Sequence, residues 1–211
     1  MDKAWSAFYP DLLLELPGAP LPLVDHHLRN VVIDFCERSK AYRVDLDPAD
    51  AVAEQMGYAP TLAAGLDPVE ILEVKFSGEV LTEKAPRYLS DKYGDWQSET
   101  GTPEHFTQQD GAEVLLVPAP ADAAVDAIQI KVAAKPSLDA TGVEDWIFSK
   151  WRLALVAGCK AAMMAMKDKT WSAPDRVEFY QGLFERALED AKVAANNGFV
   201  RSKPRFSGRF C

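Results

Sequence analysis

The stretch TGVEDWIFSKWRLALVAGCKAAMMAM, Thr141 to Met166, decides the reading of the fold. Thr141 and Glu144 have the spacing of a helix-opening capping box, and apolar residues then run through Trp146, Ile147, Trp151, Leu155 and Ala162. A second helix is expected from Ser172, with Pro174 in its first turn, through Val177, Tyr180, Leu183, Phe184, Ala187 and Ala191 to Asn196-Asn197-Gly198. The connector Lys167–Trp171 is short, so the two helices are expected to form an antiparallel hairpin. Ala154, Gly158, Ala161 and Ala165 on the first helix would let a partner helix approach closely.

Working outward, the N-terminal zone is also helical. After the rigid run from Pro17 to Pro22, apolar positions recur at Val24, Leu28, Val31, Val32, Phe35, Cys36 and Tyr42, one buried stripe at helix spacing. Trp5, Phe8, Leu12, Leu13 and Leu16 form a short amphipathic segment ahead of it, broken at Pro10. The middle zone changes period. Val69–Phe76 partly alternates and meets the turn signal Ser77-Gly78, while Glu113–Val117 and Ala127–Ala133 end at or before prolines. The last two read as antiparallel strands joined by the Pro-Ala-Pro-Ala-Asp loop, and polar, acidic Tyr88–Gly101 reads as a long exposed loop. The expected class is α+β: a helical bundle with a C-terminal antiparallel hairpin and an inserted small antiparallel β domain. The boundaries are residues 1–43 for the N-terminal helices, 44–136 for the β domain, 137–198 for the hairpin, and 199–211 for a flexible basic tail.

Charge separates the tail from the body. The 211 residues carry a net −9, yet Arg201, Lys203, Arg205 and Arg209 stand in the last eleven with no acid among them. Without those four, 19 basic residues face 32 acidic ones, so the first 200 residues carry −13. Such a body repels nucleic acid, and four cations are a poor footprint for binding it. Phe206 and Phe210 sit beside Arg205 and Arg209, a pattern suited to a docking peptide that orders on binding. No secretory leader or membrane span is expected, and the three unpaired cysteines point to a reducing, cytoplasmic setting.

Chemistry finds little support. His26 and His27 are adjacent and diverge by about 100° on a helix, so together they cannot chelate one ion. Cys36 and Cys159 read as core fillers, and no GxSxG, Walker, GxGxxG or zinc-spaced set occurs. Carboxylates such as Asp45 and Asp47, Asp91 and Asp95, or Asp122 and Asp126 are abundant, but spacing selects no catalytic pair. No metal or cofactor is expected. Trp146, Trp151, Trp171, Phe179, Tyr180 and Phe184 cluster in the hairpin with hydrophobic core as their default use, and Trp146, Trp151, Trp171 and Tyr180 are the candidates for a subunit interface.

Four strings, in order, carry a likeness: Leu28–Arg38; Gly101–Phe106 leading into Val114–Pro120; Ile130–Pro136 leading into Asp145-Trp146; and Trp171–Pro174 with its helix. In this order the chain resembles the head-to-tail adaptor (connector, head-completion) proteins of tailed phages and gene-transfer agents. The resemblance implies a non-enzymatic virion protein. Twelve copies would ring the DNA channel between the portal above and a tail, stopper or nozzle protein below. It also implies that the C-terminal segment reaches the portal, making Arg201, Lys203, Arg205, Phe206, Arg209 and Phe210 the expected portal contacts. DNA would pass without sequence-specific binding, in the virion neck after assembly in the host cytoplasm. The alternatives are another neck or tail-completion subunit of stopper type, or a small carboxylate-dependent hydrolase.

Overall fold

The computed structural model describes residues 2–108 and 113–197. Among them the chain is mixed α+β, with helices α1 (Tyr9–Leu12), α2 (Leu21–Ser39), α3 (Pro86–Tyr93), α4 (Asp145–Met164) and α5 (Pro174–Asn196) and several small sheets. It divides into two compact units, Met1–Tyr42 with Pro136–Cys211, and Arg43–Lys135.

In the first unit α4 is the centre. From Ala154 to Met164 every residue except half-buried Ala162 is buried, as expected of a helix that is apolar all round. It packs against α1, α2 and α5, and α2 packs against α5. The N-terminal segment does not break at Pro10. A 3-10 turn, Trp5–Phe8, runs into α1 with Pro10 in the first turn, where its missing N–H costs nothing. Phe8 sits edge-to-face on Phe148 at 4.8 Å, and Leu12 and Leu16 are fully buried. Helix α2 buries the expected Val24, Leu28, Val32, Phe35 and Cys36, but stops at Ser39, where Lys40 turns left-handed at φ 50°. Tyr42 lies beyond that turn and packs on Trp146, ring centroids 6.1 Å apart.

The capping box at Thr141 is corrected. Gly142–Glu144 is a strand paired antiparallel with Asp2–Ala4, and α4 opens at Asp145 without a side-chain cap. Strand pairing occupies this backbone instead, and Gly142 is required there because a Cβ would collide with the Lys3 carbonyl. The expected start of the last helix at Ser172 shifts to Pro174, also without a side-chain cap, and the Ala173 N–H donates to the Met164 carbonyl at 3.1 Å.

In the second unit, a sheet of Gly57–Tyr58, Val114–Val117, His105–Thr107 and Thr82–Glu83 shares one core with a sheet built on Ala124–Pro136 and Leu66–Phe76. Ile128, Ile130 and Val132 alternate onto that core from the long strand. The all-antiparallel expectation is corrected, because Thr82–Glu83 pairs parallel with His105–Thr107, and Ala119–Pro120 parallel with Thr100–Gly101. Val114–Val117 and Ala124–Pro136 belong to different sheets rather than one hairpin. Pro118 and Pro120 offer no N–H for a continuous ladder, and the chain changes partner at them. The supposed loop at Tyr88–Gly101 is also corrected: it contains most of α3 and a 3-10 turn, Trp96–Ser98. Leu89 and Trp96 bury against Val117, and the Trp96 indole donates to Ser90 Oγ at 3.1 Å.

Two helical glycines give opposite expectations. A Cβ on Gly158 would lie 2.7 Å from Val31 Cγ1 and 2.8 Å from Phe184 Cδ2, whereas one on Gly182 would meet nothing within 4 Å. In thermal unfolding, Gly158→Ala is expected to destabilise by about 1–3 kcal/mol through overpacking. Gly182→Ala is expected to stabilise by up to about 1 kcal/mol through helix propensity.

Candidate functional site

Among the described residues the helical unit carries one buried ion. Lys160 lies on the apolar α4 with its side chain only 9% exposed, and its ammonium donates to Glu15 Oε1 at 2.7 Å. The other oxygen of Glu15 accepts from Arg176 at 3.3 Å and from the Tyr180 hydroxyl. One carboxylate on the turn after α1 therefore ties that turn to α4 and α5. The Lys160 hydrogen bond, then that of Tyr180, hold the Glu15 carboxyl below its ordinary range. The same bond to Glu15, reinforced by burial, pushes the Tyr180 phenol up. Nearby, Arg38 of α2 grips Glu185 of α5 with both terminal nitrogens, at 2.9 and 2.5 Å, and reaches Asp34 at 3.2 Å.

The aromatics singled out from sequence are turned largely to internal use. Trp171 is buried, and Trp146, Trp151 and Tyr180 are half-buried. Trp151 packs on Phe35 at 5.5 Å, and the indole N–H groups of Trp151 and Trp171 find no hydrogen-bond partner among the described residues. The surface that faces water is different. On α5, Phe179 (61% exposed), Leu183 and Val193 (58%) are exposed. At about 100° per residue they share an arc of about 80°, roughly opposite the buried Phe184, Leu188, Ala191 and Ala195. Sequence reading placed Phe179 in the hairpin's aromatic cluster, with core as its default use, put Leu183 in the helix's apolar pattern, and passed over Val193. The spacing i, i+4, i+14 was the available signal, hidden beside a second apolar stripe on the same helix. The expected portal contacts Arg201, Lys203, Arg205, Phe206, Arg209 and Phe210 lie outside the described residues.

Reactive groups do not converge. Cys36 and Cys159 are buried, and burial pushes both thiols up to about 12, which leaves them protonated. His26 and His27 meet edge-to-face, ring centroids 5.4 Å apart, and His26 Nε2 lies 3.1 Å from Asn30. No group of three or more His, Cys, Asp or Glu suited to a metal occurs among the described residues. Glu15 and Glu185 are shifted down by their cationic partners, opposite to the raised carboxyl that a general acid needs.

A family model described as SU10 adaptor protein matches residues 10–204, nearly the whole chain. The chain belongs to the SU10 adaptor protein family. This is a phage head-to-tail adaptor family, so the likeness seen in the order of motifs is the correct one, and the chain is assigned to a structural class of virion protein. The match takes in both units and includes Arg201 and Lys203, but stops before Arg205, Phe206, Arg209 and Phe210. No curated protein matches the chain. No helix among the described residues is long and apolar enough to cross a membrane.

Within this adaptor fold the Glu15 network has a measurable weight. Glu15→Ala strands the buried Lys160 ammonium and is expected to cost about 3 kcal/mol in denaturant unfolding. Because the folded Glu15 pKa lies below its ordinary 4.5, its contribution is complete above pH 4.5 and fades as pH falls through the folded value. The stability gap between wild type and Glu15→Ala is therefore expected to narrow in acid and to be flat from pH 5 upward.

Proposed function

We propose that this chain is a ring subunit of the phage neck, joining the portal above it to a tail, stopper or nozzle component below. The family match over residues 10–204 is the observation that carries the reading. In this reading, α2, α4 and α5 form a bundle in which α4 and α5 make an antiparallel hairpin, with residues 44–136 as the inserted β domain. Copies, twelve in the expected ring, surround a channel through which DNA passes. A body at −13 suits a conduit that must not hold its cargo. The protein would reside in the virion neck, after synthesis in the host cytoplasm.

Ring closure needs head-to-tail contacts between different patches of neighbouring copies. The outward stripe Phe179, Leu183 and Val193 on α5 is our candidate for one such patch, an apolar surface standing apart from the subunit's own core. Trp146, Trp151, Trp171 and Tyr180 would then support the interface from within. The basic tail, through Arg201, Lys203, Arg205, Phe206, Arg209 and Phe210, would dock on the portal, with aromatic and arginine anchors as the chemistry of attachment.

Light scattering and negative-stain imaging of the protein alone, and mixed with the portal encoded in the same genome, test the reading. A ring on the portal is the expected result, and no association with an assembled portal would defeat it. Deleting residues 201–211 is expected to leave the unfolding transition unchanged and abolish portal docking. Phe179→Asp is expected to leave the subunit folded, judged by circular dichroism, and to prevent ring closure on the portal.

A further inference from the structure

Between α2, α4 and α5 lies an open groove of about 330 Å³. Its lining includes Gly158, Ala161, Ala162 and Ala165 of α4, of which Ala162 and Ala165 are the accessible floor, and Val31 and Phe184 wall it. Val31 and Phe184 close over Gly158, and beyond them the short side chains of Ala162 and Ala165 leave an open apolar slot at the small end of ligand-pocket size. The rim is charged. Asp34 and Glu185 share the guanidinium of Arg38, so the groove lining holds two carboxylates to one cation, while Lys192 close to Glu185 is hydrogen-bonded to Glu189.

The residue chemistry that fits this slot is an aromatic side chain for the floor and a cation for the rim. The chain carries that combination twice in its last residues, Arg205-Phe206 and Arg209-Phe210. Position favours the chain's own end. Glu185 lies eleven residues before the end of α5 at Asn196, about 17 Å along the helix axis at ~1.5 Å per residue. The ten residues from Asn196 to Phe206 span up to ~33 Å when extended, so Phe206 reaches the groove with slack, and a short tether raises its local concentration. Charge argues against another protruding apolar element of this unit, Leu13-Leu14 of a second copy. Leu14 is 84% exposed but is flanked by Asp11 and Glu15, which would bring carboxylates toward Asp34 and Glu185.

We propose that the groove holds the chain's own C-terminal segment in the free subunit, Phe206 and Phe210 on the alanine floor and Arg205 and Arg209 toward Asp34 and Glu185. The proposal rests on the reading of that segment as the portal-docking peptide. It makes the groove a holster from which the portal draws the segment.

The test uses the full-length chain, dilute and without portal, with Gln181 on the groove lining replaced by the photo-crosslinker p-benzoylphenylalanine. Irradiation is expected to give crosslinks to residues 201–211 at monomer mass. They are expected to be lost in full-length Phe206→Ala/Phe210→Ala and weakened in Arg205→Glu/Arg209→Glu, with the circular dichroism spectrum unchanged. Crosslinks to a second copy, crosslinks only to other parts of the same chain, or none at all would overturn it. No portal takes part, so a failure here is separate from a failure of docking. Conversely, if deletion of residues 201–211 leaves portal docking intact while these crosslinks form, the docking reading falls and the groove occupancy stands.

Discussion

The rest of the helical unit depends on the second half of α4, Ala154–Met164, being buried almost all round. A stretch with so little free face is poorly placed by amphipathicity, since no single stripe points it at a core. Its surroundings must place it. Two features supply the register: Gly158, which lets Val31 of α2 and Phe184 of α5 close on the backbone, and Lys160, whose ammonium needs a carboxylate at one position. These residues are two apart and point to nearly opposite sides of the helix. One side is closed by the meeting of α2 and α5, the other by the turn that carries Glu15. A buried ion pair is weak evidence for stability, because desolvation consumes much of the attraction. Here its consequence is geometric: of the ways the N-terminal segment could lie against an alanine-rich helix, only those that bring Glu15 to Lys160 avoid an unpaired buried charge.

The parts of this arrangement that follow a period were legible in the sequence. The stripe on α2 and the two long C-terminal helices are where 3.6-residue spacing places them. What escaped was set by tertiary partners. Thr141–Glu144 has the composition of a cap, but Asp2–Ala4, some 140 residues away, claims its backbone as a strand. The eight residues of α3 are too few and too polar to announce a helix, and become one because Leu89 and Trp96 find Val117. The parallel pairings in the second unit involve strands of two or three residues, below the length at which alternation can be counted. For the site, the tail's chemistry could be read directly, since four cations without an acid need no fold to be noticed. The outward stripe of α5 could not, because two apolar stripes on one helix look in sequence like one wide one.

That double stripe bears on how the proposed ring subunit would avoid random association before it assembles. Phe179, Leu183 and Val193 are interleaved on their own arc by Arg186 and Asp190, so the apolar surface is broken into small islands. Scattered apolar groups of this kind are ordinary on a monomer and give little drive to associate at random. They become useful only where a partner is held in one orientation, as a neighbour in a ring is.

Charge acts in the same direction. Subunits that each carry −9 repel when brought side by side, and at physiological salt the screening length of about 8 Å leaves that repulsion acting mainly at close approach. In the proposed neck, broken apolar islands against like-charged neighbours would oppose ring closure without a template. A template that fixes the first copies removes the orientational cost, and a basic segment leaving each acidic body gives it an attractive contact of the opposite sign. In the proposed neck, then, the separation of −13 in the body from +4 in the tail is not incidental to the fold. It withholds association from the free subunit and supplies it where a partner surface waits, and a groove that keeps the segment at home would strengthen both halves of that behaviour.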